Sequence, residues 1–326
     1  MHSFFSRWAL FITCLFCLSS VGHADSVVVE KNQLKLIRVD QDKSAAILAG
    51  EYFGDKQEGW QLTELNGRAL FKAGEIVAIP LSPVNPVAVY SKGHRVIPVL
   101  CYHQFSPGSK AKRQLEVSAI DFDRQMAYLV DNGYEVIPFS KLSAILAGKS
   151  SIPPKAVVLT IDDGYRSVYD IAFPILKKYG LHATLFVYTD FIGGSQALSW
   201  QQIKEMKNSA VLDIESHTKT HSSLSYVSNK ENLKEHRLRV ANEIDSAEQA
   251  IRKHLDHQST LLAYPYGNSS DATIDHLKNS SYALAATVKR GPNSAFADPL
   301  LLQRSMIYND HKLDKFVKMV DGFQAN

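Results

Sequence analysis

The chain has 326 residues, 45% of them apolar and 21% charged, with 36 basic against 33 acidic side chains. This is the composition of an ordinary globular protein, long enough for one large domain and a small one. The near-neutral balance gives no electrostatic case for nucleic acid or an anionic membrane, and no phosphate-cradling glycine loop is present.

Residues 1–24 read as a secretory signal. Arg7 gives the positive flank, Ala9 to Cys17 the apolar core, and Val21-Gly22-His23-Ala24 the small residues suited to cleavage before Asp25. The apolar run is short for a membrane span; the alternative is an uncleaved anchor. Export to a periplasm, a cell envelope or the medium is therefore expected. Cys14 and Cys17 form a C-x-x-C spacing inside the signal, so Cys101 alone remains in the mature chain and no internal disulfide is expected.

Leu34 to Val39 reads as a strand, Ser44 to Tyr52 and Gly59 to Asn66 as short helices, and Glu75 to Pro80 as a second strand. This β-α-α-β order, with Tyr52-Phe53-Gly54-Asp55, Trp60, Leu65-Asn66-Gly67 and Gly74 before Ile79-Pro80, resembles a LysM domain over residues 34–82. The resemblance implies binding of N-acetylglucosamine polymers such as peptidoglycan. Asp42-Lys43-Ser44 replaces the usual opening Gly-Asp-Thr, so a structural cap without glycan binding is the other reading. Leu81 to Arg95, with two prolines and little periodicity, reads as a linker, with residues 83–94 at its centre.

From residue 95 to 326 strands and helices alternate. Strands are predicted at 96–103, 134–138, 157–161, 183–188, 211–215, 260–266, 283–288 and 300–307. Helices are predicted at 120–129, 140–147, 170–179, 200–207, 230–255, near 272–278 and from 313. Such alternation implies an α/β fold with a mostly parallel sheet, a distorted or incomplete (β/α) barrel whose chemistry belongs at the C-terminal strand ends. The polar residues fall there. Asp162-Asp163-Gly164 end an apolar β-branched run, His217 and His221 follow VLDIE, Tyr264-Pro265-Tyr266-Gly267 follow TLLA, and His103 ends the first strand. Asp-Asp-Gly alone also serves as a plain strand stop, and with 12 histidines an H-x-x-x-H pair carries little alone. His254 and His257, in a charged stretch, read as solvated. Successive strand residues face opposite ways, so Asp162 and Asp163 are expected to hold separate jobs. Asp163, His217 and His221 make the open three-donor set of a hydrolytic zinc site, which cobalt or nickel would also suit.

TIDDGY, SHTKTH and YPYG, in this order and spacing, resemble the motifs of the polysaccharide deacetylases (carbohydrate esterase family 4). The likeness runs from residue 95 to about 310 and includes PVLCYH, GYEVIPFS and ATLFVY. It implies Asp162 as general base, Asp163, His217 and His221 as metal ligands, and the Tyr266 backbone N–H at the oxyanion. Two departures stand out. Ala263 occupies the place of the family's base-orienting Arg, for which Arg304 is the candidate substitute. The late Leu-x-His that supplies the acid is absent, leaving His103 and, behind it, His311. The implied activity is N-deacetylation of an N-acetylglucosamine polymer, of the poly-β-1,6-linked, peptidoglycan or chitin type. An inactive glycan-binding protein and an O-acetyl esterase are the alternatives.

Overall fold

The computed structural model describes residues 25–325 except 32, 55, 83, 84, 227 and 228. The signal-like segment lies outside the described residues. None of the helices described is long and apolar enough to cross a membrane. The chain divides into two compact units, Met1–Ser82 and Pro83–Asn326.

In the smaller unit the antiparallel sheet runs Ser26–Lys31, Leu34–Arg38, Ile76–Pro80, with helices Ala45–Phe53 and Gly59–Asn66. Its core is Ile37, Leu48, Ala49, Leu62, Phe71, Val77 and Ile79. Gly59 permits the helices to meet, because a Cβ there would lie 2.8 Å from Ala46 Cα. Asn66 locks the second helix to the sheet: its side chain donates to Ala78 O and accepts from Ala78 N, both at 2.9 Å. The strand Ser26–Lys31 escaped the sequence reading because all six residues are exposed and lack the alternation that marks a half-buried strand.

The larger unit is built on an eight-stranded parallel sheet. Its strands are β1 (Val99–Tyr102), β2 (Glu135–Val136), β3 (Ala156–Asp163), β4 (Ala183–Val187), β5 (Leu212–Ser216), β6 (Leu261–Ala263), β7 (Leu284–Ala286) and β8 (Ser305–Met306). The order is β7-β6-β5-β4-β3-β1-β8, with β2 alongside β3. The sheet curls until its ends meet: Thr287 N donates to Leu302 O and Arg304 N to Lys289 O, while β8 pairs with β1. Helices Ala119–Asp131, Phe173–Tyr179, Trp200–Asn208 and Leu233–Leu255 cover one face, packing on Val157, Leu159 and Ile161 of β3. The other face carries Val158 with Phe139, Phe186 and Ala263. Thr160 and Asp162 therefore continue the inward row of Val158.

Two boundaries differ from the sequence reading. Val89–Tyr90 and Gly93–Arg95, inside the expected linker, pair with each other, and Gly93–Arg95 also pairs with the C-terminal Phe323–Ala325. The stretch 300–307 is strand only at Ser305–Met306, which pair with β1, because Leu302 bonds instead to Ala285 and Thr287 at β7 and its end.

Candidate metal centre and base

β3 is buried along all eight residues and lies between β1 and β4. It ends in two left-handed residues, Asp163 (φ +78°) and Gly164 (φ +94°). The turn at Asp163 overrides strand alternation. Both carboxylates face one imidazole, with Asp162 Oδ2 3.9 Å and Asp163 Oδ1 3.6 Å from His217 Nε2. Thr218, His221 and Tyr266 also have positive φ, so four of the eight non-glycine residues in that region among the described residues border this site. Such backbone costs about 1–2 kcal/mol per residue and persists only where its surroundings hold it.

Those surroundings are specific. His217 N donates to Val187 O and Lys219 N to Glu243 O. The buried Glu243 carboxylate, on the Leu233–Leu255 helix, accepts from Thr220 N at 2.9 Å and Thr220 Oγ1 at 2.6 Å. His217 Nδ1 lies 2.7 Å from Ala263 O. A carbonyl only accepts, so Nδ1 carries the proton and Nε2 keeps its lone pair towards Asp163. His221 Nε2 is 3.5 Å from the same Asp163 oxygen. The donor atoms of Asp163, His217 and His221 all lie within 4.8 Å of one another.

The electrostatics ask for a cation here. Burial, then the neighbouring Asp162 charge, pushes Asp163 up to about 7. Burial pushes His217 down to about 4 and lowers His221. A buried carboxylate beside two imidazoles held neutral is the ligand set that a divalent ion satisfies. The residues present fit the metal.

Asp162 differs although it is the adjacent residue. Burial alone would raise its carboxyl, but the Arg304 guanidinium holds it well below the usual carboxylate range. Arg304 is fully buried; its Nη1 and Nη2 each donate to one Asp162 oxygen at 2.7 Å, and Nε donates to Thr287 O. The Cys101 thiol, pushed up by burial and so protonated, donates to Asp162 Oδ2 at 3.4 Å.

His103 lies within the same 4.8 Å cluster as Cys101 and Asp162. Its Nδ1 is buried without a hydrogen-bond partner, and burial pushes the ring down to about 4. Tyr266 sets its ring 4.6 Å from that of His221, edge to face. Gly267 follows at φ +73°, where a Cβ would fall 2.5 Å from Val288 Cγ2. His311 stands apart: its contacts are Tyr308 N, Asp310 and, through its carbonyl, Gln125.

Glu243 and Cys101 had no signal beyond their residue types, since only folding shows what they touch. His257 is not solvated as expected, because its Nε2 sits 3.1 Å from the buried Glu215 carboxylate. His254 is exposed but stacks on Trp200, 4.3 Å between rings.

A three-donor metal set beside an arginine-paired carboxylate, at the C-terminal mouth of a curled parallel sheet, defines a hydrolase-type centre. The polysaccharide deacetylase family model matches residues 149–285. The Bacillus subtilis (strain 168) protein YxkH, assigned to the polysaccharide deacetylases, is 30% identical over 198 residues, 61% of this chain and 66% of that protein. The chain thus spans just under two thirds of that relative. A poly-beta-1,6-N-acetyl-D-glucosamine N-deacetylase of Staphylococcus epidermidis is 28% identical over 221 residues, 66% of this chain and 76% of that protein. Among solved structures, the Streptococcus pyogenes deacetylase PplD in complex with acetate superimposes with a TM-score of 0.62 at 28% identity, covering 69% of this chain and 98% of that one. Residues 149–285 thus form a polysaccharide deacetylase domain.

Proposed function

We propose that the protein is an exported, metal-dependent N-deacetylase of an N-acetylglucosamine polymer, of the poly-β-1,6-linked type. The observation that carries this reading is the pairing of opposite environments on adjacent carboxylates. Asp162 is locked ionised by Arg304 within reach of His217, and Asp163 is left short of positive charge. The staphylococcal relative supports the substrate class.

In this reading Asp163, His217 and His221 hold a divalent ion, zinc in first place, with cobalt or nickel also suited. When bound, the ion supplies Lewis-acid polarisation and makes a water easier to deprotonate. Asp162 accepts the proton of the water that attacks the acetamide carbon. The Tyr266 N–H donates to the oxygen that gains charge. His103, neutral at pH 7, cannot deliver a proton at the outset; it relays the one Asp162 has taken to the departing nitrogen as the C–N bond breaks. The products are acetate and a free amine on the sugar. We read the N-terminal unit as the LysM-like module that engages peptidoglycan or a related glycan. Residues 1–24 we read as the export signal.

The test is acetate release from β-1,6- and β-1,4-linked N-acetylglucosamine oligomers and from peptidoglycan, with metal-stripped and zinc- or cobalt-loaded protein. Metal-dependent release is expected, strongest on the β-1,6 series. Asp162→Asn should keep the metal and lose at least about a hundredfold in rate; full activity there would reject the base. His217→Ala should lose the metal, and undiminished occupancy would reject the ligand set.

A further inference from the structure

Cys101 is the one cysteine outside the signal-like segment, and it is fully buried on β1. A buried cysteine ordinarily acts as a small apolar side chain. This one does not sit among hydrocarbon alone. Its Sγ lies 3.4 Å from Asp162 Oδ2 and 3.9 Å from Tyr102 O. The Cys101 Sγ, a ring nitrogen of His103 and an Asp162 oxygen all lie within 4.8 Å of one another. Strand pairing fixes this meeting: Cys101 is opposite Thr160 where β1 runs beside β3, and His103 and Asp162 each follow two residues later.

His103 points to a ligand independently. It is more than nine-tenths buried, and its Nδ1 has no hydrogen-bond partner among the described residues. Buried polar nitrogens are nearly always paired, and an ion is one of the few reasons for an exception. Asp162 keeps room for one as well. Each of its oxygens accepts from Arg304 at 2.7 Å. A carboxylate oxygen has two lone pairs, so Oδ2 retains a second, the one the thiol now uses. Sulfur, imidazole nitrogen and carboxylate oxygen are all zinc ligands. The sulfur turns the set away from magnesium, calcium and manganese.

We propose that Cys101, His103 and Asp162 form a second metal site, for a thiophilic divalent ion such as zinc or cadmium, adjoining the Asp163, His217 and His221 set. Binding exchanges the ion for one proton. The S–H bond breaks, sulfur keeps the electron pair and donates it to the ion, and the proton leaves to solvent. Arg304 and an ion in the first set both repel a cation here, so the second site is the weaker and fills after the first. Its occupant takes the lone pair with which Asp162 accepts a proton and engages the His103 ring, so excess metal turns hydrolysis off. The inhibition rests on the deacetylase reading; the binding does not.

The experiment titrates metal-stripped protein with cadmium and follows the ultraviolet charge-transfer band of the cadmium–thiolate bond. In the wild type the band should rise only after the first equivalent is bound. Cys101→Ala should bind the first equivalent and lack that rise. A band no different between wild type and Cys101→Ala overturns the site. Should the alanine variant lose the wild-type circular dichroism, Cys101→Ser, which keeps the volume and loses the sulfur, gives the same comparison. Acetate release is then measured in excess zinc. At a free concentration ten times the Kd of the second site, mass action leaves about one molecule in eleven with a free base, so release should fall about tenfold. In Cys101→Ala the same zinc should change release by less than about twofold, relative to that variant loaded with one equivalent. Equal inhibition in the two proteins overturns the control of activity. Should zinc-loaded wild type release no acetate at any concentration, the deacetylase reading fails on its own, and the thiolate band alone decides the site.

Discussion

At the scale of single residues, Arg304 is the most constrained side chain in the site. It is fully buried and donates to Asp162 twice, to Thr160 and to Thr287 O. Breaking one partner of such a pair strands a buried charge, so Arg304→Met should lower the stability of the large unit by about 3–5 kcal/mol. Chemical denaturation measures this. Arg304→Lys keeps the charge but loses the two-pronged grip; acetate release should fall while the metal stays bound. A variant with wild-type activity would show that Asp162 needs no orientation. Arg304 was legible only as a candidate, through the gap at Ala263, because nothing local in LLLQRSMI marks its partner 142 residues earlier. Asp163 was legible by residue type and position. Its positive φ, which places both carboxylates on one imidazole, was not, since period-two alternation predicts opposite faces.

At the scale of elements, the Leu233–Leu255 helix holds the ligand-bearing loop from behind. Glu243 accepts from both Thr220 groups, and its carbonyl takes the Lys219 N–H. Supports of this kind are worth 10–100-fold in metal affinity. Glu243→Ala should therefore weaken zinc binding by about tenfold or more in competition with a chelator, with the ligands themselves intact. A second contact has a pH signature. The hydrogen bond to Glu215, with its charge, raises His257 above the ordinary histidine value despite partial burial. A raised folded value means the stabilisation is fully present below about pH 6.5 and fades as pH rises through the folded value. His257→Gln should thus cost about 0.5–1 kcal/mol at pH 5.5 and progressively less towards pH 9, read from denaturation midpoints. The helix pattern that hid Glu243 is the reason the sequence reading passed over it. A charged residue on an amphipathic helix looks solvent-facing until the loop it holds is known.

At the scale of the whole molecule, the two units have separate cores, and the candidate metal donors Asp163, His217 and His221 all belong to the larger one. Metal binding stabilises only the state that holds it, by about 2.7 kcal/mol at a free concentration one hundred times Kd. In calorimetry, zinc should raise the transition of the larger unit and leave that of the smaller one in place; a shift of both would show that the two unfold as one. The alternation of strands and helices made the parallel sheet legible from residue 95 onwards, because each crossover carries its own hydrophobic period. The closure of the curl was not legible, since Leu302 and Arg304 bond across to β7 through backbone atoms that carry no residue signal.

That closure gives the chain an order of assembly. The three candidate metal donors and their supports, Glu243 and the Ala263 carbonyl, all lie at or before residue 263, but the guanidinium that pairs with Asp162 arrives at residue 304, on the segment that joins the two ends of the sheet. The donor cluster can therefore assemble while Asp162 is still unpaired, and that pairing waits for the last strand to dock. In refolding, metal uptake should precede acetate release, with the lag set by the docking of β8.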